Sequence, residues 1–191
     1  MSLLTSFLPS IAPKVQSWIE EQRAKHIGGA RVLTDGERQR LAGYFPDAAL
    51  TAARVKTVER IENPPFLEGL LKQAAFFGIR VQFDFNGVSG ITFVDCILVK
   101  EKAPSADLLF HEMVHVEQYR QLGTEGFVQA YVRGMVDGGL VYERIPLEAI
   151  ASEMTARFAA GEKFNVADEL AASLRARGYL QDDNTGRQGK C

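Results

Sequence analysis

Histidine and cysteine are scarce in this chain of 191 residues, which holds three histidines and two cysteines. Two cysteines cannot form a disulfide framework or a zinc site built on thiolates. Cys96 lies in an apolar run, where we expect a small buried residue, and Cys191 lies at the far end of the sequence. This cysteine usage fits a reducing compartment. Any metal site must therefore combine histidine with carboxylate ligands.

The sequence also lacks a long apolar run and a large net charge. No stretch approaches the roughly 18 uninterrupted apolar residues that a membrane span needs. The first residues include no basic segment, and Pro9 and Pro13 interrupt a short apolar stretch, so a signal peptide is not expected. The net charge is -2, from 22 basic and 24 acidic side chains. We therefore expect a cytoplasmic protein with neither a membrane nor nucleic acid as its partner.

The order of the predicted elements is helices, a small sheet and then more helices, which indicates the α+β class. We expect one domain over residues 1–180, with a helical part at 1–50, the sheet and site helices at 51–180, and a disordered polar tail at 181–191. The predicted helices cover 13–25, 34–45, 66–78, 105–122, 124–135, 146–161 and 166–177. The predicted strands cover 53–59, 79–85 and 90–100, the last two joined by a turn at 86–87.

Some of these boundaries carry local signals. Thr34 and Glu37 have the spacing of a capping box, which predicts the start of the second helix. Pro13 suits the first turn of the first helix, and Pro46 should end the second. Pro146 should start the helix that follows the glycine-rich loop at 137–139.

Two of the three histidines fall four residues apart around a glutamate, in the stretch LLFHEMVHVEQYRQLG at 108–123. In an α-helix, residues i and i+4 lie on one face, about 40° apart, so His111 and His115 can bind one metal ion. Glu112 lies about 100° from His111, where it can reach a water on the ion. We therefore predict a zinc ion bound by both histidines, with Glu112 as the general base.

The residues around this motif predict a buried helix. Phe110, Met113 and Val114 are apolar, and further apolar residues extend to the other sides of the helix. A buried carboxylate without a partner costs several kcal/mol, so Glu112 needs compensation, which a divalent cation with its water would supply. The alternative is that the motif arose by chance and binds no metal.

A third protein ligand should be a carboxylate on a later helix. Glu148 is the preferred residue, because it lies in a rigid first helical turn among apolar neighbours. An acidic residue at that position is also favoured by the helix dipole without any metal. Glu143, Glu153 and Asp137 are the alternatives.

No histidine follows that could stabilise an oxyanion, so tyrosine hydroxyls are the candidates for this role. Tyr142 precedes the third-ligand helix in a glycine-rich loop and is predicted to face the cleft as a catalytic residue. Tyr119 is a second candidate, although a buried core aromatic is the other interpretation.

The stretches GITFVDCILV, LLFHEMVHVEQYRQLG and IPLEAIA resemble the minimal zincin domains of bacteria, over about residues 88–160. HEMVH followed by a helical glutamate looks like the gluzincin type of zinc metallopeptidase. In the family, a strand precedes the HExxH helix and a Glu-x-x-Ala pair, here Glu148 and Ala151, marks the third-ligand helix. The resemblance implies a zincin-like fold and a zinc ion bound by His111, His115 and Glu148. The thermolysin-type NExxSD pattern and the third histidine of metzincins are both absent.

This resemblance implies hydrolysis of a peptide or protein substrate. Glu112 would take a proton from a zinc-activated water and pass it to the leaving amine. The strand at 90–99 could pair with an extended peptide if it lies at the edge of the sheet. The main alternative is a non-catalytic zincin-like module that binds zinc and has a regulatory or interaction role. A closed structural zinc site and hydrolysis of another substrate class also stay open.

Overall fold

The computed structural model describes residues 8–76, 87–139 and 141–181, and its architecture is mixed α+β, as predicted. The helices are α1 Leu8–Ile27, α2 Asp35–Leu41, α3 Asp47–Ala52, α4 Leu67–Phe76, α5 Ala106–Asp137, α6 Pro146–Ala159 and α7 Val166–Ala176. The strands are β1 Arg31–Val32, β2 Arg54–Thr57, β3 Gly90–Phe93 and β4 Cys96–Val99, and a short 3-10 turn spans Tyr142–Arg144.

The four strands form one sheet in the order β1-β2-β4-β3. β2 and β4 are parallel, and the two outer pairs are antiparallel. All four residues of β4 are buried, which explains its continuous apolar sequence. Among the described strands β1 and β3 are the terminal ones, and β3 packs against α5, the helix that carries the HExxH motif.

The prediction of one strand over 90–100 was wrong, because the chain reverses at Val94 and Asp95. Val94 adopts a φ of 62°, which is unusual for a β-branched residue. Arg23 of α1 binds the Asp95 carboxylate with two hydrogen bonds, of 2.6 and 2.9 Å. This tertiary ion pair helps to hold the turn where the local sequence contains no glycine or asparagine to mark it.

Other boundaries also differ from the predictions. α1 spans Leu8–Ile27, so Pro13 lies inside the helix, where its missing N–H removes one intrahelical hydrogen bond. α2 keeps the capping box of Thr34 and Glu37 but ends at Leu41, because Ala42 has a non-helical ψ of 137°, and Gly43 then turns the chain with a φ of 84°. Pro46 is the N-cap of α3, which was not predicted, and neither was β1.

The predicted strand at 79–85 lies outside the described residues, as do Asn86 of the predicted turn and nearly all of the predicted tail. The helices predicted to start at Pro146 and Val166 are confirmed. Within the described part of the chain, no helix combines the length and apolarity needed to cross a membrane.

α5 is broken at Gly123, where the two predicted helices meet. Gly123 has φ 68° and ψ 170°, a conformation that is incompatible with a continuous helix. Tyr119 and Phe127 lie on either side of the break, and their rings stack at 3.7 Å between centroids. On a straight helix these residues would be about 12 Å apart along the axis. The bend at Gly123 therefore turns the second half of α5 towards the residues of the HExxH motif.

Candidate metal centre

His111, His115 and Glu148 converge on one point between α5 and α6. The Nε2 atoms of the two histidines are 3.2 Å apart, as expected for residues i and i+4 of one helix. Oε2 of Glu148 lies 3.4 Å from Nε2 of His111 and 3.3 Å from Nε2 of His115. Pro146 occupies the first turn of α6 and fixes the position from which Glu148 extends.

These residues fit a divalent metal ion. Oε2 of Glu148 is buried and has no hydrogen bond of acceptable geometry, although both imidazoles are within ion-pair distance. A buried oxygen without a hydrogen-bond partner is costly, and a cation between the three side chains would satisfy it. Two imidazole nitrogens and one carboxylate oxygen form a ligand set that zinc accepts. The group can therefore hold a metal ion.

Gln118 fixes the orientation of His115. Its Nε2 donates to the carbonyl of Leu147 at 2.9 Å, so its Oε1 must face His115, whose Nδ1 lies 2.8 Å away. The amide oxygen can only accept, which places a hydrogen on Nδ1 and directs Nε2 towards the point shared with Glu148. Gln118 is completely buried. Such hydrogen bonds to the second imidazole nitrogen are a regular feature of metal-binding histidines.

Two tyrosines contact the carboxylate of Glu148. The Tyr131 hydroxyl donates to Oε1 at 2.8 Å, and Tyr142 forms a further hydrogen bond with the same side chain. Burial, together with the negative charge of Glu148, raises the pKa of both phenols far above the ordinary value, so both stay neutral donors. Since Tyr131 holds Oε1, Oε2 remains directed towards the two histidines.

Glu112 lies beside this group without belonging to it. Its side chain is buried, and the Thr92 hydroxyl on β3 donates to Oε2 at 2.7 Å. Gly90 leaves the space for Oε1, because a Cβ atom at that position would lie only 2.7 Å away. Burial raises the pKa of Glu112, and the neighbouring histidines and Thr92 offset this effect in part. A buried carboxylate with a raised pKa is suited to accept a proton near neutral pH.

His115 and Glu148 form a buried ion pair when no cation is bound. Burial alone would lower the pKa of His115, but the Glu148 carboxylate outweighs it and raises this pKa to about 9. Burial would raise the pKa of Glu148, but the charge of His115, the close approach of both imidazoles and the hydrogen bond from Tyr142 hold it well below the ordinary range. A proton on His115 therefore occupies the position that a cation would take.

The site opens to solvent mainly at His111. The side chain of His111 is 19% exposed, whereas those of His115 and Glu148 are 8% and 6% exposed. A partly open cavity of about 80 Å³ lies beside the group, and Glu112, His115, Glu148 and Tyr142 contribute to its wall. The metal-binding group therefore borders a cavity that is itself partly open.

The structure brings together the residues that the sequence predicted for the site: His111, Glu112, His115, Tyr142 and Glu148. The three alternative ligands do not join them, since Asp137, Glu143 and Glu153 are all exposed.

Tyr119 is a buried aromatic that stacks on Phe127, which fits the second of its two interpretations. Sequence reasoning missed Gln118, Tyr131 and Thr92. Of these, only Gln118 had a visible signal, because it is a polar residue one helical turn after His115 and lies on the same side of the helix.

A comparison with protein-family models, with curated proteins and with solved structures finds no match to this chain. The resemblance to zincin domains therefore remains an expectation that depends on the motif and on the local geometry.

Proposed function

We propose that the protein is a zincin-like, zinc-dependent metallopeptidase in which His111, His115 and Glu148 bind the ion and Glu112 is the general base. The observation that carries the proposal is the buried convergence of three ligand atoms beside a fourth, separately held carboxylate. A purely structural zinc site has no need of that carboxylate, since all its positions are closed by ligands.

A zinc ion in this position would polarise the scissile carbonyl and lower the pKa of a bound water towards neutrality. Glu112 accepts a proton from the attacking water and later donates it to the leaving amine. Thr92 holds Oε2 of Glu112, so Oε1 on the Gly90 side is the atom that exchanges the proton. Tyr142, a neutral phenol in the cavity wall, is proposed to donate to the developing oxyanion.

The second candidate function is a non-catalytic zinc-binding module. It is favoured by the contact between Tyr142 and Glu148, since this hydroxyl already has a partner and must move to reach a substrate. Peptide hydrolysis that depends on Glu112 is the measurement that separates the two functions.

The test measures zinc per chain and peptide hydrolysis for the wild type, Glu148→Ala, Glu112→Gln and Glu153→Ala. Glu153 is exposed on the same helix as Glu148 and serves as the matched control. We expect about one zinc per chain in the wild type, the control and Glu112→Gln, and little in Glu148→Ala. Hydrolysis of a mixed peptide library should fall about 10²-fold or more in Glu112→Gln.

The outcomes separate the candidates. A wild type that holds no zinc after the ion is supplied contradicts both. Zinc binding that depends on Glu148, with no hydrolysis in any variant, supports the non-catalytic module instead.

A further inference from the structure

The proposed general base borders a cavity that is too small for a peptide. Glu112 is only 3% exposed, and the partly open cavity that it lines has a volume of about 80 Å³. Sites that take small organic ligands usually measure about 300–1,000 Å³. A peptide held for cleavage needs room for at least one residue on each side of the scissile carbonyl. One wall of this cavity must therefore move before such a substrate reaches Glu112.

Helix α1 supplies one of the cavity walls. Val15, Trp18 and Ile19 line the cavity, and α1 packs against both α5 and β3. Two further walls, from α5 and β3, are held in place, since α5 carries two of the proposed ligands and β3 is paired with β4 along its whole length. α1 carries none of these ligands. It is therefore the wall that can move while the metal-binding group stays intact.

Two side-chain contacts fasten α1 to the end of β3. The rings of Trp18 and Phe93 meet edge to face, with their centroids 5.1 Å apart. Arg23 donates to both carboxylate oxygens of Asp95, at 2.6 and 2.9 Å, in the turn that follows Phe93. The side chains of Arg23 and Asp95 are 39% and 24% exposed, so water and salt reach this ion pair. The pair can therefore break without unfolding of the core.

The end of α1 provides a pivot. The helix ends at Ile27 and is followed by Gly28 and Gly29, which are both exposed. Glycine tolerates a wide range of backbone angles and can absorb a rotation of the helix. Trp18 lies about 15 Å from Gly28 along the helix axis, so a rotation of about 20° would move its backbone by about 5 Å. Arg23 is closer to the pivot, and the same rotation would separate it from Asp95.

We infer that α1 is an autoinhibitory strap over the metal-binding group and that the ion pair of Arg23 and Asp95 is its latch. In the closed form described above, α1 keeps a peptide away from Glu112. When the latch opens, α1 pivots and the cavity widens along β3. The inference rests on the proposed function, because it takes the metal-binding group as the place of reaction, and it adds the regulation of that site.

The test compares the zinc-loaded wild type with Arg23→Glu, which replaces the attraction to Asp95 with repulsion. Calorimetry measures the binding of acetohydroxamate, which supplies a chelating group alone, and of acetyl-alanyl-alanine hydroxamate, which adds a short peptide. We expect the peptide compound to bind Arg23→Glu about tenfold more tightly than the wild type, because a larger fraction of the chains is open. Acetohydroxamate should bind both proteins equally. Amide hydrogen exchange in α1 should be faster in Arg23→Glu, with or without zinc.

Three further variants separate opening of the latch from misfolding. Arg23→Glu combined with Asp95→Arg restores the ion pair with its charges exchanged and should return the affinity for the peptide compound towards the wild-type value. Arg23→Gln removes the pair without repulsion and should give a smaller gain of about threefold. Lys14→Glu is the matched control, since Lys14 is exposed on the same helix, and it should change neither affinity. Zinc per chain should be about one in every protein.

The outcomes distinguish failure of the strap from failure of the proposed function. If acetohydroxamate binds but neither Arg23 variant gains affinity for the peptide compound, the metal site is open and the strap is wrong. An equal gain for both compounds also overturns the strap, because the latch would then act on the ion and not on access. If the chains hold zinc and none of them binds acetohydroxamate, the ion has no open position, and the proposed function fails together with the strap.

Discussion

The side-chain amide of Gln118 donates to the carbonyl of Leu147 at 2.9 Å. Leu147 immediately precedes Glu148, so this hydrogen bond connects the helix of the two histidines to the helix of the third ligand. The same side chain accepts from His115 through its oxygen. One buried residue therefore sets the tautomer of a ligand on α5 and the position of the backbone next to a ligand on α6.

We expect Gln118→Leu to weaken zinc binding about 10-fold to 100-fold, because His115 loses the acceptor that orients it. Gln118→Glu should weaken zinc binding less than Gln118→Leu, since its carboxylate can still accept from Nδ1 of His115. It cannot donate to the carbonyl of Leu147, so that contact is lost in both variants. The measurement is competition with a chromophoric zinc chelator. Gln129→Leu is the control, because Gln129 is exposed on the same helix. Equal zinc affinity in Gln118→Leu and the wild type would contradict the assigned role.

Gly90→Ala should abolish hydrolysis while leaving zinc bound. Its Cβ atom would lie 2.7 Å from Oε1 of Glu112, too close for any real contact, so the carboxylate must move. The atoms nearest to that Cβ all belong to Glu112, which is not one of the proposed ligands, so zinc per chain should stay at the wild-type value. Gly87→Ala provides the control, since a Cβ at this exposed glycine meets nothing within 4 Å. Full activity in Gly90→Ala would show that the position of Glu112 is unimportant for the reaction.

The buried pair of His115 and Glu148 should make the stability of the metal-free protein depend on pH. The pKa of His115 is about 9 in the folded chain and 6.5 as its ordinary value. Its stabilising contribution is therefore complete below pH 6.5 and is lost as the pH rises through about 9. The pKa of Glu148 is lowered, so its contribution is present above the ordinary value of 4.5 and is lost as the pH falls below it.

Urea unfolding of the chelator-treated protein at pH 6 and pH 9.5 checks this expectation. The free energy of unfolding should fall between these values in the wild type, and fall less in Glu148→Gln, which lacks the charge that raises the pKa of His115. An identical pH dependence in both proteins would contradict the assignment. Zinc binding near pH 7.5 should also release about one proton, which titration in buffers of different ionisation enthalpy detects.

Two glycines on α5 should respond to alanine in opposite directions. A Cβ at Gly134 would lie 2.5 Å from Cδ of Pro146, so Gly134→Ala must displace the start of α6 and should cost about 1–3 kcal/mol of stability. Gly126→Ala meets only an ordinary contact at 3.4 Å with Leu122, and should stabilise the helix by about 0.5–1 kcal/mol. Denaturant unfolding of both variants decides this, and a stable Gly134→Ala would show that the two helices can separate at no cost.

The metal-binding group could be predicted from the sequence because local geometry determines most of it. The spacing of His111 and His115 fixes their relative positions on any α-helix. Glu148 was predictable because Pro146 marks a helix start and because a carboxylate there has apolar neighbours. Both signals lie within a few residues of the ligand, and neither requires knowledge of the fold.

The remaining contacts depend on relationships that the local sequence does not specify. Tyr131 reaches Glu148 only because α5 bends at Gly123, and the direction of that bend is set by packing. Thr92 reaches Glu112 only through the register of β3 against α5. The turn at Val94 was missed because a β-branched residue at positive φ has no local signal, and its partner Arg23 is distant in the sequence.

A bound ion would cross-link the two helices that supply its ligands. His115 and Glu148 are 33 positions apart in the sequence, and an ion held by both would close a loop of that length. Because the ligands converge only when α5 and α6 are docked, occupancy and docking become a single equilibrium. Chelation should then loosen the segment from α6 onwards before the sheet opens, so sensitivity of residues 146–181 to a protease would report the metal content of the protein.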